Sequence, residues 1–521
     1  MAKTASTDLY DLIQSMTKSE KRYFKVFSSR HTIGKSNNYV ALFDFIEKMD
    51  AYDEDAIFKA FEGQDLLNQF PTTKIRLYEA VLKALDAYHA SHMESAAIYK
   101  LLNSVQILFD KGLFSQAKKN LHAAEKLVKK YHRNDLLPAC YHLRRMVLEK
   151  DNNGQSQEEM ICNLRNEENA TYEELKAIGA LWREKQQLLL FIQKMKRPLS
   201  EEDMQKLMGF HDAIVQKNKA LPRSFMGKFL YYQSLAAYHY AKNEPREILN
   251  CMLAQLTLFE EFKSSKQQFS QHYFSLQANL IQTYVQLGQT KEAMPYLNQL
   301  MAMEKDMVQL PIFTQQQYFV AQMSSALMLY VNAGQFEKAT HYRKTVLEGI
   351  EKFSFHNNIS SLQYICFKLG IAFFALADYK ESLRWINEIV LKTKLEEGNK
   401  SLFLYAELLQ LINHYELGHQ DYLPYAIQNT WKQLIKHGLN EPFESLVISS
   451  LRSLLKCDNH LEAEEQLIII VKQIEALPNS TKERALSFFD FTCWMQSKIK
   501  QQPFHALSTQ KYFSKKRMKS V

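Results

Sequence analysis

The stretch Val105-Gln-Ile-Leu-Phe-Asp-Lys111-Gly112-Leu113-Phe114-Ser-Gln116-Ala117-Lys-Lys-Asn-Leu121-His-Ala-Ala124 decides the fold. A helix of mixed polar and apolar residues runs into Lys111-Gly112, turns, and restarts as a second helix around Gln116-Ala117. The same grammar returns at Gln286-Leu287-Gly288-Gln289, at Asn332-Ala333-Gly334-Gln335-Phe336 and at Leu376-Ala377-Asp378-Tyr379. Each copy reads as a hairpin of two helices. One hairpin cannot bury its own apolar face, so several must stack, and the stack leaves a groove able to bind something else.

The small residue of each turn serves as a ruler. Gly288, Gly334, Ala377, Gly418 and Cys457 follow one another at intervals of 46, 43, 41 and 39 residues, with Gly112 upstream of them and a weaker unit turning at Asn243 before Pro245. Two helices in about 43 residues leave roughly 18 or 19 residues each, or about 28 Å per helix. Between 135 and 225, breaks at Pro138, Asp151-Asn-Asn-Gly154, Pro198 and Pro222 outline further long helices without a legible turn motif.

Composition points the same way. The chain has 521 residues, too many for a single compact core, and is 46% apolar and 23% charged, as ordered proteins are. Its 14 glycines and 11 prolines are less than half the usual share, too few turn-formers for a many-stranded β fold. The expectation is an all-α chain: a small helical opening at 1–92, an α–α superhelix of long-helix hairpins over 93–497, and a basic C-terminal tail at 498–521. In the opening region Thr17-Lys-Ser-Glu20 reads as a capping box. Tyr39, Leu42, Phe43, Ile46 and Met49 keep the spacing of one buried helical face. Asp53 starts a short helix and Pro71 opens a long one, Thr72 to His92.

Charge is unevenly placed. Residues 491–521 carry seven basic and no acidic residues, and the first 35 residues sum to +4, so positions 36–490 sum to −3 of the formal +8. The long middle is therefore no basic cradle for nucleic acid. No run of about 18 apolar residues occurs, and Met1-Ala-Lys-Thr-Ala-Ser-Thr-Asp reaches charge before any apolar run, which predicts neither export nor a membrane span. Six scattered cysteines, Cys140, Cys162, Cys251, Cys366, Cys457 and Cys493, form no metal-ligand pair and suit free thiols in a reducing cytoplasm.

The stretch Cys366-Phe-Lys-Leu369-Gly370-Ile-Ala-Phe373-Phe374-Ala-Leu-Ala377-Asp378-Tyr379-Lys380-Glu381-Ser382-Leu383-Arg-Trp385-Ile386 resembles a tetratricopeptide repeat. Leu-Gly stands in the first helix, an aromatic follows three residues later, the turn is acidic-aromatic, and a small residue follows in the second helix. Gly334-Gln335-Phe336-Glu337-Lys338-Ala339 and Gly112-Leu113-Phe114-Ser115-Gln116-Ala117 match the same turn. The resemblance spans about two thirds of the chain, with a period longer than the family's usual ~34 residues. It implies a superhelix whose small residues let helices approach closely while aromatics fill the wedge between hairpins. The start, Thr17-Lys-Ser-Glu-Lys-Arg-Tyr-Phe-Lys25, is similar to that of uncharacterised bacterial repeat proteins and implies no function.

The resemblance also tests one class of partner. Family members that clamp a carboxylate tail carry Lys and Asn at set positions of the first helix. The matching positions here are Leu102 and Gln106, Ala278 and Gln282, Ser324 and Met328, Phe367 and Ile371, and no lysine falls among them. The groove is then expected to offer amides at one end (Asn103, Gln106, Gln282, Gln286, Asn332) and aromatic, apolar surface at the other (Tyr364, Phe367, Ile371, Phe374), suited to a peptide or helix. The competing reading packs those aromatics on the neighbouring hairpin.

Other motifs carry little chemistry. Ile33-Gly34-Lys35-Ser36 lacks the first glycine of a phosphate-binding loop, with Ser29 in its place. His89, His92 and Glu94 are poorly spaced for a metal. The acid pairs Glu167-Glu168, Glu173-Glu174 and Glu201-Glu202 read as hydrated helix faces. No cofactor is implied and no catalytic group stands out. The expected role is a non-enzymatic scaffold or adaptor holding a protein or peptide. The alternative is a regulator touching nucleic acid through basic termini, with Lys511, Lys515, Lys516, Arg517 and Lys519 pairing phosphates and the interleaved aromatics stacking on bases.

Overall fold

A computed structural model describes residues 6–29, 38–89, 94–150, 154–195, 199–216, 222–262, 265–308, 310–353, 355, 358–393, 398–457 and 459–519, with the backbone alone at 38, 94, 154–157, 216, 480 and 512–519. Among these residues every regular element is a helix and none is a strand. The chain divides into two compact units, 1–187 with 212–231, and 188–211 with 232–521. The Gly112 hairpin falls in the first of these units with the opening helices, and the described residues from 498 on fall in the second.

In the first unit five α-helices, Asp8–Ser15, Lys18–Ser29, Asn38–Glu47, Glu54–Ala60 and Phe70–His89, gather around Ile13, Phe24, Phe43, Ile46, Leu77 and Val81. The capping box forms: the Glu20 amide donates to Thr17 Oγ1 at 3.3 Å while Glu20 Oε2 accepts from the Thr17 amide at 2.6 Å. Asp53 caps its helix by accepting from the amides of Asp55 and Ala56. The hairpin Glu94–Asp110 and Phe114–Lys130 follows, then Leu137–Leu148, packed through Val105, Leu121, Val128 and Tyr141. Next comes Gly154–Lys194, an uninterrupted helix of 41 residues.

The second unit is built from hairpins in series. They are Ser270–Gln286 with Thr290–Ala302, Ile312–Asn332 with Phe336–Thr340 and Arg343–Lys352, Ile359–Ala375 with Tyr379–Val390, Lys400–Glu416 with Leu423–Lys436, and Pro442–Leu454 with His460–Glu475. Each first helix packs on its own second helix, and Ser270–Gln286, Ile312–Asn332 and Ile359–Ala375 pack in sequence on one another. One cap ends the first helix in the first four of these hairpins, whereas Pro442–Leu454 ends with the Leu455 amide on the Leu451 carbonyl and the Lys456 amide on the Ser453 carbonyl, and Cys457 is not left-handed. The Gly288 amide donates to the Val285 carbonyl at 3.0 Å and the Gln289 amide to the Tyr284 carbonyl at 2.8 Å. The same pair of bonds recurs at Gly112, Asn243, Gly334, Ala377 and Gly418. This cap needs a left-handed residue, which glycine adopts freely. Ala377 adopts it with φ of 62° and a Cβ that glycine would not carry.

Register repeats beyond the turn. Five residues after the ruler residue stand Ala117, Ala293, Ala339 and Ser382, all fully buried. Eight after it stand Tyr296, Tyr342 and Trp385; Tyr296 stacks on Tyr284 at 5.5 Å and Tyr342 on Tyr330 at 6.1 Å. Close approach is literal at Gly370, where a Cβ would lie 2.7 Å from Ile386 Cδ1. Ile365, Leu369 and Ala372 meet Trp385, Ile386 and Ile389 in a core that continues through Leu404, Leu408 and Leu411.

After the last hairpin the chain continues as Asn479–Leu486, Phe491–Ile499 and Phe504–Lys519. Glu416 fixes this segment by accepting from Trp494 Nε1 at 2.7 Å and Lys498 Nζ at 2.6 Å. Arg484 pairs with Glu441 and, at 2.8 Å, with Glu444, which also accepts from the Tyr405 hydroxyl at 2.5 Å. Phe504 stacks on Phe489 with centroids 5.3 Å apart, and both rings meet Phe374 edge-on. A Cβ at Gly334 would lie 2.8 Å from Thr509 Oγ1. Within the expected tail, Phe504–Lys519 is therefore a helix, and its first turns lie against the repeat turns with Phe504 and Leu507 buried. The reason is apolar: Phe488, Phe489, Phe491, Phe504 and Leu507 need cover, and the Phe374 region supplies it.

Candidate functional site

Three successive first helices present one face. Where Ser270–Gln286, Ile312–Asn332 and Ile359–Ala375 lie side by side, a cleft of about 340 Å³ opens. Its walls are Ala278, Asn279 and Gln282, then Val320, Ala321, Ser324, Ser325 and Met328, then Ser360, Ser361 and Tyr364. Small side chains at 278, 321, 324 and 325 keep the floor low, because nothing longer than a hydroxymethyl projects there. Gln282 and Asn279 are exposed and Tyr364 is half-buried, so amides and one aromatic line the rim. Ala278, Gln282, Ser324 and Met328 are four of the positions singled out by repeat register, and they fall together.

One turn further along the same helices lies a second cavity, of about 320 Å³. Gln286, Thr290, Asn332, Lys368 and Ile371 contribute from the hairpins, and Phe488, Phe489, Asp490, Phe504, Ser508 and Lys511 from the C-terminal segment. Asn332 Nδ2 donates to the Met328 carbonyl at 2.8 Å. Asp490 is engaged: its Oδ1 accepts from the Cys493 amide at 2.7 Å and its Oδ2 pairs with Lys511 at 3.2 Å. Lys368 is only 6% exposed. Among the described residues its ammonium has no hydrogen-bond or ion-pair partner, and its one recorded polar contact is the face of the Tyr364 ring at 5.4 Å. Burial pushes this ammonium down to about 8.

Not every expected groove residue reaches the face. Phe367 and Phe374 are buried, and their placement on an open groove is corrected: Phe374 is covered by Tyr379, Phe489 and Phe504, and Phe367 lies in the continuous core. Asn103 is exposed and Gln106 bonds Asp110 at 2.9 Å, but both belong to the first unit, whereas this face is built from helices of the second. Lys511 is held by Asp490, whereas the side chains of Lys515, Lys516, Arg517 and Lys519 lie outside the described residues.

The remaining motifs resolve into structure. His89 Nε2 meets Glu20 Oε1 at 2.6 Å, tying two opening helices, while His92 and the 33–36 stretch lie outside the described residues. The acid pairs are not simply hydrated. Glu167 meets Arg144 at 2.9 Å, Glu168 pairs with Arg145, and Glu174 accepts from the Ser224 hydroxyl at 2.6 Å and from the amides of Arg223 and Ser224. Among the described residues no cluster of three His, Cys, Asp or Glu side chains is arranged to hold a metal, and no helix is long and apolar enough to cross a membrane.

Sequence reasoning missed Lys368 and the C-terminal wall. The signal for Lys368 was present: one cation inside Tyr364-Ile-Cys-Phe-Lys368-Leu-Gly-Ile-Ala, with an apolar turn on either side. The wall gave no comparable signal, because its phenylalanines follow no repeat period. Comparison of the chain with protein-family models, with curated proteins and with solved structures finds no match in any of the three.

Proposed function

We propose that this chain is a non-enzymatic scaffold or adaptor that lays a protein or peptide along the first-helix face of a tetratricopeptide-like superhelix. The observation that carries the reading is the cleft across Ala278, Gln282, Ser324, Met328 and Tyr364. It is shallow, formed by regular helices rather than loops, and rimmed by amides able to bond a backbone. Its position on three hairpins at equivalent register is what a stack of repeats offers and a single hairpin cannot. The superhelical path is supported by the recurring cap, the buried small residue and the stacked tyrosine pair, each at constant offset from the turn.

A reducing cytoplasm is supported by the cysteines. All six are free thiols, and burial pushes Cys140 and Cys251 up to about 11 and Cys493 up to about 12, so these three are packing groups and not nucleophiles. The nucleic-acid reading draws less support. Two cations of the C-terminal segment, Lys498 and Lys511, are spent on Glu416 and Asp490.

The test uses the full chain as bait with Ala278→Arg and Ser324→Arg, which fill the cleft, beside Lys344→Glu on an exposed second-helix position as control. A partner captured by the wild type and the control but lost with both cleft variants supports the reading. Capture unaffected by the cleft variants, or lost equally with the control, refutes it. Retention on a phosphate column that falls steeply with salt would instead favour nucleic acid.

A further inference from the structure

We infer that the cavity between the repeat turns and the C-terminal segment is a binding site for a small organic carboxylate, with Lys368 as the group that receives the charge. The inference is independent of the peptide reading, since this cavity has a wall that the open cleft lacks.

The argument begins with charge. Lys368, Asp490 and Lys511 are the charged residues lining the cavity. Asp490 is engaged by the Cys493 amide and by Lys511, and its charge is matched by Lys511 rather than by Lys368. The wall therefore carries one unit of uncompensated positive charge on a side chain that is 94% buried. An ammonium can donate three hydrogen bonds, and the Tyr364 ring face at 5.4 Å accepts none of them as a directed N–H···O bond, so they are left for what enters the cavity. A single carboxylate matches that charge where a phosphate dianion would overshoot it. Size and lining fix the rest of the ligand. About 320 Å³ is at the small end of small-molecule sites. Ile371, Phe489 and Phe504 give an apolar wall, while Gln286 and Ser508 bring hydrogen-bond donors to the lining. The matching ligand has an apolar or aromatic body and one carboxylate.

This is not the tail clamp of the repeat family. The register positions that would serve such a clamp, Phe367 and Ile371, hold no cation, and half of this cavity comes from residues 486–511.

The test melts the full chain in phenylacetate and, in parallel, in phenylacetamide, the neutral analogue of the same shape. The expected result is a concentration-dependent rise in Tm with phenylacetate, none with phenylacetamide, and at least tenfold weaker phenylacetate binding in Lys368→Met. Should that variant fail to fold, carbon-13 methylation of the wild-type lysines gives a second readout: the Lys368 resonance titrates near 8 and moves upward when phenylacetate is added. A hexapeptide ending in phenylalanine, with its terminus free or amidated, distinguishes the source. Response to the free peptide and not to phenylacetate keeps the site and assigns the carboxylate to a polypeptide end. Equal response to acid and amide, an unchanged response in Lys368→Met, or no response to either carboxylate overturns the inference.

Discussion

Replacing Lys368 by methionine should stabilise the protein, the reverse of what a deletion in a well-packed core does. The side chain is 6% exposed and its ammonium is unpaired among the described residues. Burial lowers its pKa from 10.5 to about 8. A gap of about 2.5 units corresponds to about 3 kcal/mol of differential stability, at ~1.4 kcal/mol per unit. The sign follows from proton linkage. The unfolded chain holds this proton more tightly than the folded chain, so stability rises with pH between about 8 and about 10.5 and is lost as pH falls through 8. Methionine has similar length and no charge, so it keeps the packing and removes the penalty. Urea unfolding at pH 7 in a carboxylate-free buffer, followed by tryptophan fluorescence in a Trp182→Phe background so that the signal reports the second unit, should show the variant about 2–3 kcal/mol more stable. The difference should shrink toward zero by about pH 10.5. A variant that is less stable at pH 7, or a difference that stays flat from pH 7 to 10, would refute the account of an uncompensated buried cation.

Glu407 gives the acidic counterpart: it is buried, its Oε2 lacks a partner among the described residues, and desolvation raises it to about 7 from 4.5. Its contribution is present below about pH 4.5 and lost as pH rises through 7, so Glu407→Gln should gain up to about 3 kcal/mol at pH 8 and nothing at pH 4, read from urea midpoints. Ala339→Leu inserts three carbons where no surface is exposed and should cost about 1–3 kcal/mol by overpacking, measured by calorimetry. Ala377→Gly, at a left-handed cap with φ of 62°, should stabilise by about 0.5–1 kcal/mol in the same assay, because glycine has no Cβ to strain there. Glu416→Gln should loosen Phe491–Ile499 by weakening its bonds to Trp494 and Lys498, with faster amide exchange across 491–499 as the readout.

The hairpins were legible because their turns obey a local rule. A left-handed residue followed five positions later by a small one is a backbone and packing demand that shows in one sequence, and Gly112, Gly288, Gly334 and Ala377 all meet it, while Gly418 keeps the left-handed residue with Leu423 at the fifth position. The uninterrupted Gly154–Lys194 helix was only partly legible, since a helix with a lone Gly179 and no proline or turn motif in its interior offers no ruler. Register alone placed Gln282, Ser324 and Met328 at equivalent positions of successive first helices, and the structure sets these three side by side. The burial of Phe367 and Phe374 did not follow from register, because whether an aromatic on a first helix faces solvent depends on what returns to cover it. For Phe374 the cover comes from more than a hundred positions away, through Phe489 and Phe504. Lys368 was overlooked for a related reason: a lysine is read as surface until the cavity around it is seen.

The central claim is that recognition happens on the first-helix face. A photo-crosslinking residue placed at Gln282 in the cleft, and separately at Lys344 on a second helix, tests it inside the native host. The account predicts a discrete adduct from position 282, suppressed by Ser324→Arg, and none from position 344. Adducts of equal yield from both positions, or an adduct at 344 alone, would contradict it.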